Sequence, residues 1–284
     1  MAGDSECCEH RPQSSPASQL GAGRYIGRVA RSAELATCHL STVVHCTACK
    51  LPAHAHDWPF LSTLLRGSYV SRTRTRELEF KHGVAVYHPR AYEHCDEIGR
   101  DGGIFFGIQL DPDFVQDADH ARPDRGRDVA ILDDSEAYIV LGKLYAALCS
   151  GADQLELESL AVELAGHQLA PKPRRQRSAP PWLRRTEQRL REEQRVSLRE
   201  LSLDAGVHAT TLTRIFRQLH DCSIGEFHAR IRARRAFFEV VGSKAPLSEI
   251  CHDTGYSDQS HMTRAFARTF ATTPGQLRRS MLNA

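Results

Sequence analysis

At 284 residues, 41% hydrophobic and 25% charged, the chain has the size and composition for two domains, each with its own core. No apolar run approaches the roughly 18 residues of a membrane span, and the N-terminus lacks a basic-then-apolar signal pattern, so a cytoplasmic protein is expected. The net charge of +2 hides an asymmetry: residues 172–284 carry 21 Lys and Arg against 11 Asp and Glu, and the remainder 16 against 24, so only the C-terminal part suits a polyanion. Nine cysteines, an odd number with no secretory signal, argue against a disulfide framework and read mostly as small buried apolar residues.

Residues 1–22 are rich in Ser, Pro, Gln, Gly and Ala without periodicity, and are expected to be a disordered tail. From Tyr25 to Leu110 the signals are those of strands. Ser68 to Phe80 alternates β-branched and polar residues, while Phe60–Leu65, Val84–Tyr87 and Ile104–Leu110 are short apolar runs bounded by turn residues. Short strands so spaced predict a sandwich or barrel.

Two pieces of this region resemble the paired signatures of the cupin barrel. The first runs from His54-x-His56 through Phe60 to Gly67, the second from Gly83 through Pro89 and Ala91 to His94. The resemblance implies a barrel in which His54, His56 and His94 converge on a divalent ion, with Phe60 where the family has a glutamate. Alternation puts His54 and His56 on one strand face, so three imidazoles with open positions for water or ligand are one reading. Hydrogen bonding to an effector's hydroxyls or carboxylate is the other. Cys46-x-x-Cys49 without a second pair is a weak zinc signal, and Cys46, Cys49 and Cys95 leave a thiol-based sensor open.

Asp111 to Asp128 is acidic and holds Pro112, Pro123 and Gly126, so a loop is expected. Two amphipathic helices should follow, over 135–149 and 153–169. They either cap the barrel or form a dimer seam, for which Leu141, Tyr145, Leu157 and Leu164 are the candidates. Residues 171–181, rich in Pro and Arg, predict an extended linker.

The last hundred residues carry one pattern twice. Leu201, Ala205, Gly206, Val207, Leu212, Phe216 and Gly225 recur as Ile250, Thr254, Gly255, Tyr256, Met262, Phe266 and Gly275. Each copy reads as a helix, a glycine turn and a second helix, the outline of a helix-turn-helix unit. Ser197 with Glu200 makes a capping box, and Ser257 is the expected cap of the second candidate recognition helix. Outward positions are Thr210, Thr213, Arg214 and Arg217 in the first copy, and Gln259, His261, Thr263 and Arg264 in the second. Arginine reads guanine bidentately and glutamine reads adenine, while Arg230, Arg232 and Arg235 of the long joining helix suit phosphates.

Residues 182–280 resemble the DNA-binding domain of AraC/XylS-type transcriptional regulators. The stretch from Gly255 to Arg279 (G-Y-S-D-Q-S-H-M-T-R-A-F-A-R-T-F-A-T-T-P-G-Q-L-R-R) reproduces the family's second-repeat signature almost throughout. The first copy departs from it, with His208 in place of the usual Ser and no Gly after Leu219. The resemblance implies an α+β multidomain chain: a tail (1–22), a cupin-like effector-binding and dimerisation domain (23–170), a linker (171–181) and an all-α double helix-turn-helix domain (182–284). It implies a regulator that is not an enzyme, that binds double-stranded DNA and a small-molecule effector as a homodimer, and that meets RNA polymerase if it activates. It fixes no cofactor with certainty, and a divalent metal at His54, His56 and His94 stays possible. A metal-dependent cupin enzyme fused to a DNA anchor, and a thiol-based stress sensor, are the alternatives.

Overall fold

The computed structural model describes residues 18–73, 76–119, 129–132, 134–169 and 180–282. Most of the expected tail and linker lies outside these residues. Strands β1 (Ser18–Leu20), β2 (Arg28–Glu34), β3 (Cys38–His45), β4 (Cys49–His56), β5 (Phe60–Arg72), β6 (Glu77–Lys81), β7 (Ala85–His88), β8 (His94–Leu110) and β9 (Ala130–Ile131) join in one sheet. The two longest, β5 and β8, run antiparallel from Phe60 opposite Gln109 to Arg72 opposite Cys95.

Each of these two strands changes partner along its length. β8 pairs with β4 early and β3 late, and β5 pairs with β7 early and β6 late. This branching curls the sheet into a half-barrel around an interior. Gly67, at φ +94°, sits where β5 presses against β8, and a Cβ there would collide with the Gly102 carbonyl oxygen. The alternation in Ser68–Phe80 is realised as the β5–β6 hairpin, with Ser68 opposite Lys81 and Arg72 opposite Glu77.

Two expectations are corrected here. Residues 18–20 are not tail but β1, parallel to β4 with Ser18 opposite His54. Part of the expected acidic loop is helix α1 (Pro112–Asp119). Asp111 Oδ1 accepts the Asp113 N–H at 2.7 Å, Pro112 suits a first turn, and Val115 is buried against the core.

Helices α2 (Ser135–Ser150) and α3 (Gln154–Leu169) follow. α2 starts on Asp134, whose Oδ1 accepts the Glu136 N–H at 2.9 Å, and stops at Gly151 in the left-handed region. Beyond it come α4 (Pro181–Glu192), α5 (Leu198–Ala205), α6 (Ala209–His220), α7 (Ile224–Gly242), α8 (Leu247–Asp253), α9 (Gln259–Phe270) and α10 (Pro274–Leu282). No helix among the described residues is long and apolar enough to cross a membrane.

The cores do not follow the expected domain boundaries. One continuous cluster contains Phe106 of the sheet, Leu141 and Tyr145 of α2, Phe237 of α7, Phe266 of α9 and Leu277 of α10. A separate cluster holds Leu183, Leu201, Leu212, Phe216, Phe227 and Ile231, from α4 to the first turns of α7. α2 is therefore wrapped on several sides, by α3, α7, α9 and α10. At Gly142 a Cβ would lie 2.6 Å from Phe270 Cε1, so the close approach of α9 requires glycine there. Leu141, Tyr145, Leu157 and Leu164 are 0%, 2%, 5% and 2% exposed within the single chain. The expected dimer seam through these four is thus a correction, because intrachain packing already covers them. Among the described side chains of α3, the large apolar ones left exposed are Leu155 and Val162.

Candidate DNA-reading face and sensory cavity

The first reading half is assembled as the sequence implies. Ser197 Oγ accepts the Glu200 N–H at 3.2 Å and Glu200 Oε2 accepts the Ser197 N–H at 2.7 Å, closing the capping box that starts α5. Gly206 at φ +66° ends that helix and turns the chain. His208 then stands in for the usual serine: its Nδ1 accepts the Thr210 N–H at 3.4 Å and lies 2.9 Å from Thr210 Oγ1. That is a long, weak cap. Thr210, Thr213, Arg214 and Arg217 are all exposed along α6. The Thr213 hydroxyl lies 3.0 Å from the Ala209 carbonyl oxygen and 3.1 Å from that of Thr210, so its proton is held by the helix backbone.

In the second half Gly255 makes the turn at φ +77°, and a Cβ there would lie 2.7 Å from Gln194 O. The cap of α9 is Asp258, not Ser257 as expected. Asp258 Oδ1 accepts the His261 N–H at 2.7 Å, and Ser257 Oγ donates to Asp258 Oδ2 at 3.1 Å. A carboxylate is the better acceptor at a helix N-terminus, and the helix start in turn holds Asp258 below the usual carboxylate range. Gln259 and Arg264 are exposed, whereas His261 and Thr263 are half-buried. The His261 ring stands edge-on to Tyr256, centroids 5.3 Å apart, with Nδ1 3.0 Å from Ser257 Oγ.

The arginines of α7 are largely engaged within the chain. Arg230 pairs with Glu136 of α2 at 2.7 Å, and Arg232 donates to Gly255 O at 3.3 Å. Arg234 donates to Gly83 O at 2.9 Å and lies over the Tyr138 ring. Burial pulls the Arg235 guanidinium below its ordinary value.

The half-barrel brings His54, His56 and His94 together, with ring nitrogens within 4.8 Å of one another. Each is 3% exposed. His54 Nδ1–H donates to Pro52 O at 2.9 Å and His94 Nδ1–H to Tyr92 O at 3.0 Å, so both rings keep a lone pair on Nε2. His56 is fixed the other way. The Gly23 N–H, 2.5 Å from Gln109 Oε1, orients that amide so that its Nε2 donates to His56 Nδ1 at 3.2 Å. His56 then carries its proton on Nε2 and has no free lone pair, so these residues do not fit a three-imidazole metal site.

The missing carboxylate is explained by packing. Phe60 stacks on His88 at 4.3 Å and 4° and lies 4.3 Å from His56. His88, which the sequence reading passed over, is buried with Nδ1 unpartnered, as is Asp96 Oδ1. Its signal was its place in the register, opposite Phe60. Burial, reinforced by neighbouring imidazoles, pulls His54 and His88 down, and brings His56 to about 3, so these rings are neutral. The space they enclose is about 60 Å³, far below the roughly 300–1,000 Å³ of small-molecule sites. Cys46 is exposed and Cys49 buried, and burial together with Asp96 raises the Cys95 thiol, which disfavours the thiolate an oxidant sensor needs.

A paired helix-turn-helix with two outward, arginine-bearing helices defines a class of DNA-reading module. Residues 201–280 match the family model described as a helix-turn-helix domain, and this part of the chain is an AraC-type domain. Over 75 residues the chain is 37% identical to the HTH-type transcriptional regulator GlxA of Rhizobium meliloti, a match covering 26% of this chain and 23% of that relative. Among solved structures, ToxT from Vibrio cholerae matches at 6% identity over 86% of this chain and 98% of its own, with a TM-score of 0.35. The C-terminal domain of AraT, a response regulator from Geobacillus stearothermophilus, matches at 24% identity over 35% and 85%, with a TM-score of 0.34.

Proposed function

We propose that the protein is a sequence-specific DNA-binding transcriptional regulator, acting in the cytoplasm and controlled by a small-molecule effector sensed through its N-terminal half. The observation that carries this reading is the AraC-type domain with two recognition helices. α6 turns Thr210, Thr213, Arg214 and Arg217 to solvent, and α9 turns out Gln259 and Arg264. The two helices would enter successive major-groove faces of one site, with base edges read by Arg214, Arg264 and Gln259. His261 and Thr263, half-buried here, would join them as the DNA closes on the helix. Phosphate contacts would supply much of the affinity, so binding should weaken steeply with salt.

The test is a gel shift with the DNA upstream of the protein's own gene, comparing wild type with Arg214→Ala and Arg264→Ala at two salt concentrations. Loss of a specific, salt-sensitive complex in either variant is expected. A wild-type protein that binds this DNA no better than a scrambled sequence would refute the assignment for that site, and retention of full binding by both variants would refute the base-reading roles.

A further inference from the structure

Among the described residues, a cavity of effector size lies outside the half-barrel. It is a cleft of about 550 Å³ between α2 and α3 on one side and α7 and α9 on the other. That volume lies within the range of sites for small organic ligands, roughly 300–1,000 Å³. Its apolar lining includes Ile139 and Val140 of α2, Ala229 and Ala233 of α7, and Ala265 of α9.

The charges around this floor are unbalanced. Lys143, Arg232 and Arg268 line the cleft, and none forms an ion pair with a described residue. The Arg232 guanidinium donates to Gly255 O at 3.3 Å and lies over the Tyr256 ring, 5.3 Å from its centroid, while its Nε is buried without a hydrogen-bond partner. The acids beside them are already engaged: Glu136 with Arg230 at 2.7 Å, and Glu226 with the Ser223 N–H at 2.7 Å. Glu226, whose partner is a neutral N–H, and Glu163 remain beside the cleft as counter-charges. Three cations against two carboxylates that have no cationic partner leave the cleft with an excess of positive charge beside an apolar floor.

We propose that this cleft binds an organic anion with an apolar body, its carboxylate or sulfonate taken by Arg232 with Lys143 and Arg268. This deepens the regulator reading and rests on it for its consequence. One wall belongs to the sensing half and the other to the second recognition helix, so the ligand binds one spacing of the walls better than another. That difference couples ligand to DNA, and the coupling is reciprocal.

The probe is 8-anilinonaphthalene-1-sulfonate, titrated by fluorescence into the full-length chain alongside Lys143→Glu, Ala229→Trp and His54→Ala. Lys143→Glu reverses a charge at the rim, and Ala229→Trp fills the cleft without touching any charge. Saturable binding to the wild type is expected, weakened about tenfold or more by each of these two variants and unchanged by His54→Ala. Binding that both variants leave within about twofold, or that His54→Ala alone removes, overturns the proposal. So does a Lys143→Glu protein whose probe affinity is unchanged while its promoter affinity falls about tenfold, because the cleft would then be a seat for a DNA phosphate. Promoter binding by the wild type without probe is measured in parallel. Its absence would count against the regulator reading, whereas its presence with no probe binding would overturn the cleft alone.

Discussion

The two reading halves share one sequence pattern but are held in place by different neighbours. The first closes a core of its own, in which Leu212 and Phe216 of α6 meet Leu183, Leu201 and Phe227. The second lends Met262, Phe266 and Phe270 to a core that also contains Phe106 of the sheet and Leu141 and Tyr145 of α2. The same motif is therefore self-supporting in one copy and built into the N-terminal half in the other. The contrast places the sensitive joint of the molecule within the reading domain, where α7 passes from one core to the other.

The largest test of this contrast is a pair of core truncations. Phe216→Ala and Phe266→Ala should each cost about 3–5 kcal/mol. Hydrogen exchange separates them: Phe266→Ala should also lower the protection of amides in β5 and β8, and Phe216→Ala should leave those amides as they are. Equal loss in the sheet from both would show that the two cores unfold as one.

Acid should separate the halves next. His54, His56 and His88 have folded values pulled below the ordinary 6.5. The unfolded chain thus binds more protons than the folded one as pH falls from about 6.5 toward about 3, and each ring removes up to about 1.4 kcal/mol per pH unit within its window. Acid titration followed by exchange should open the sheet and second half first, and the core around Phe216 later. A sheet whose stability is flat from neutral pH down to about 4.5 would contradict the neutral, buried imidazoles.

At the DNA, Arg214→Ala and Arg264→Ala should each cost about 1–3 kcal/mol of discrimination, read as relaxed preference in competition gel shifts. The effect should be larger for Arg264, whose helix is held by the larger core. The smallest expected difference lies in the caps. Asp258→Ala removes a 2.7 Å carboxylate cap, and about 1 kcal/mol is expected by thermal melting. His208→Ala removes a 3.4 Å contact and should cost a few tenths.

The repeat, its glycine turns and the capping box at Ser197 were legible because they depend on neighbours within a few residues. So was the convergence of His54, His56 and His94, through strand alternation and the spacing of the two cupin-like pieces. The destination of an apolar stripe was not. Leu141, Tyr145, Leu157 and Leu164 show helical periodicity, but that period records only that a face is covered, not which surface covers it. α1 was hidden by its acidity and by a proline, which a first turn accepts. The tautomer of His56 was out of reach as well, since it depends on Gln109, 53 residues away along the chain.

The single helix α7 has a mechanical consequence. Its early residues Phe227 and Ile231 belong to one core, and Phe237, Val240 and Val241 belong to the other. At 19 residues it is a rod of about 28 Å. Pivoted at its C-terminal end by only about 5°, such a rod swings its far end by about 2.5 Å. A tilt that small at the sheet would arrive at the first reading half as a shift comparable to the length of a hydrogen bond, enough to carry one recognition helix out of register with base edges while the other stays seated.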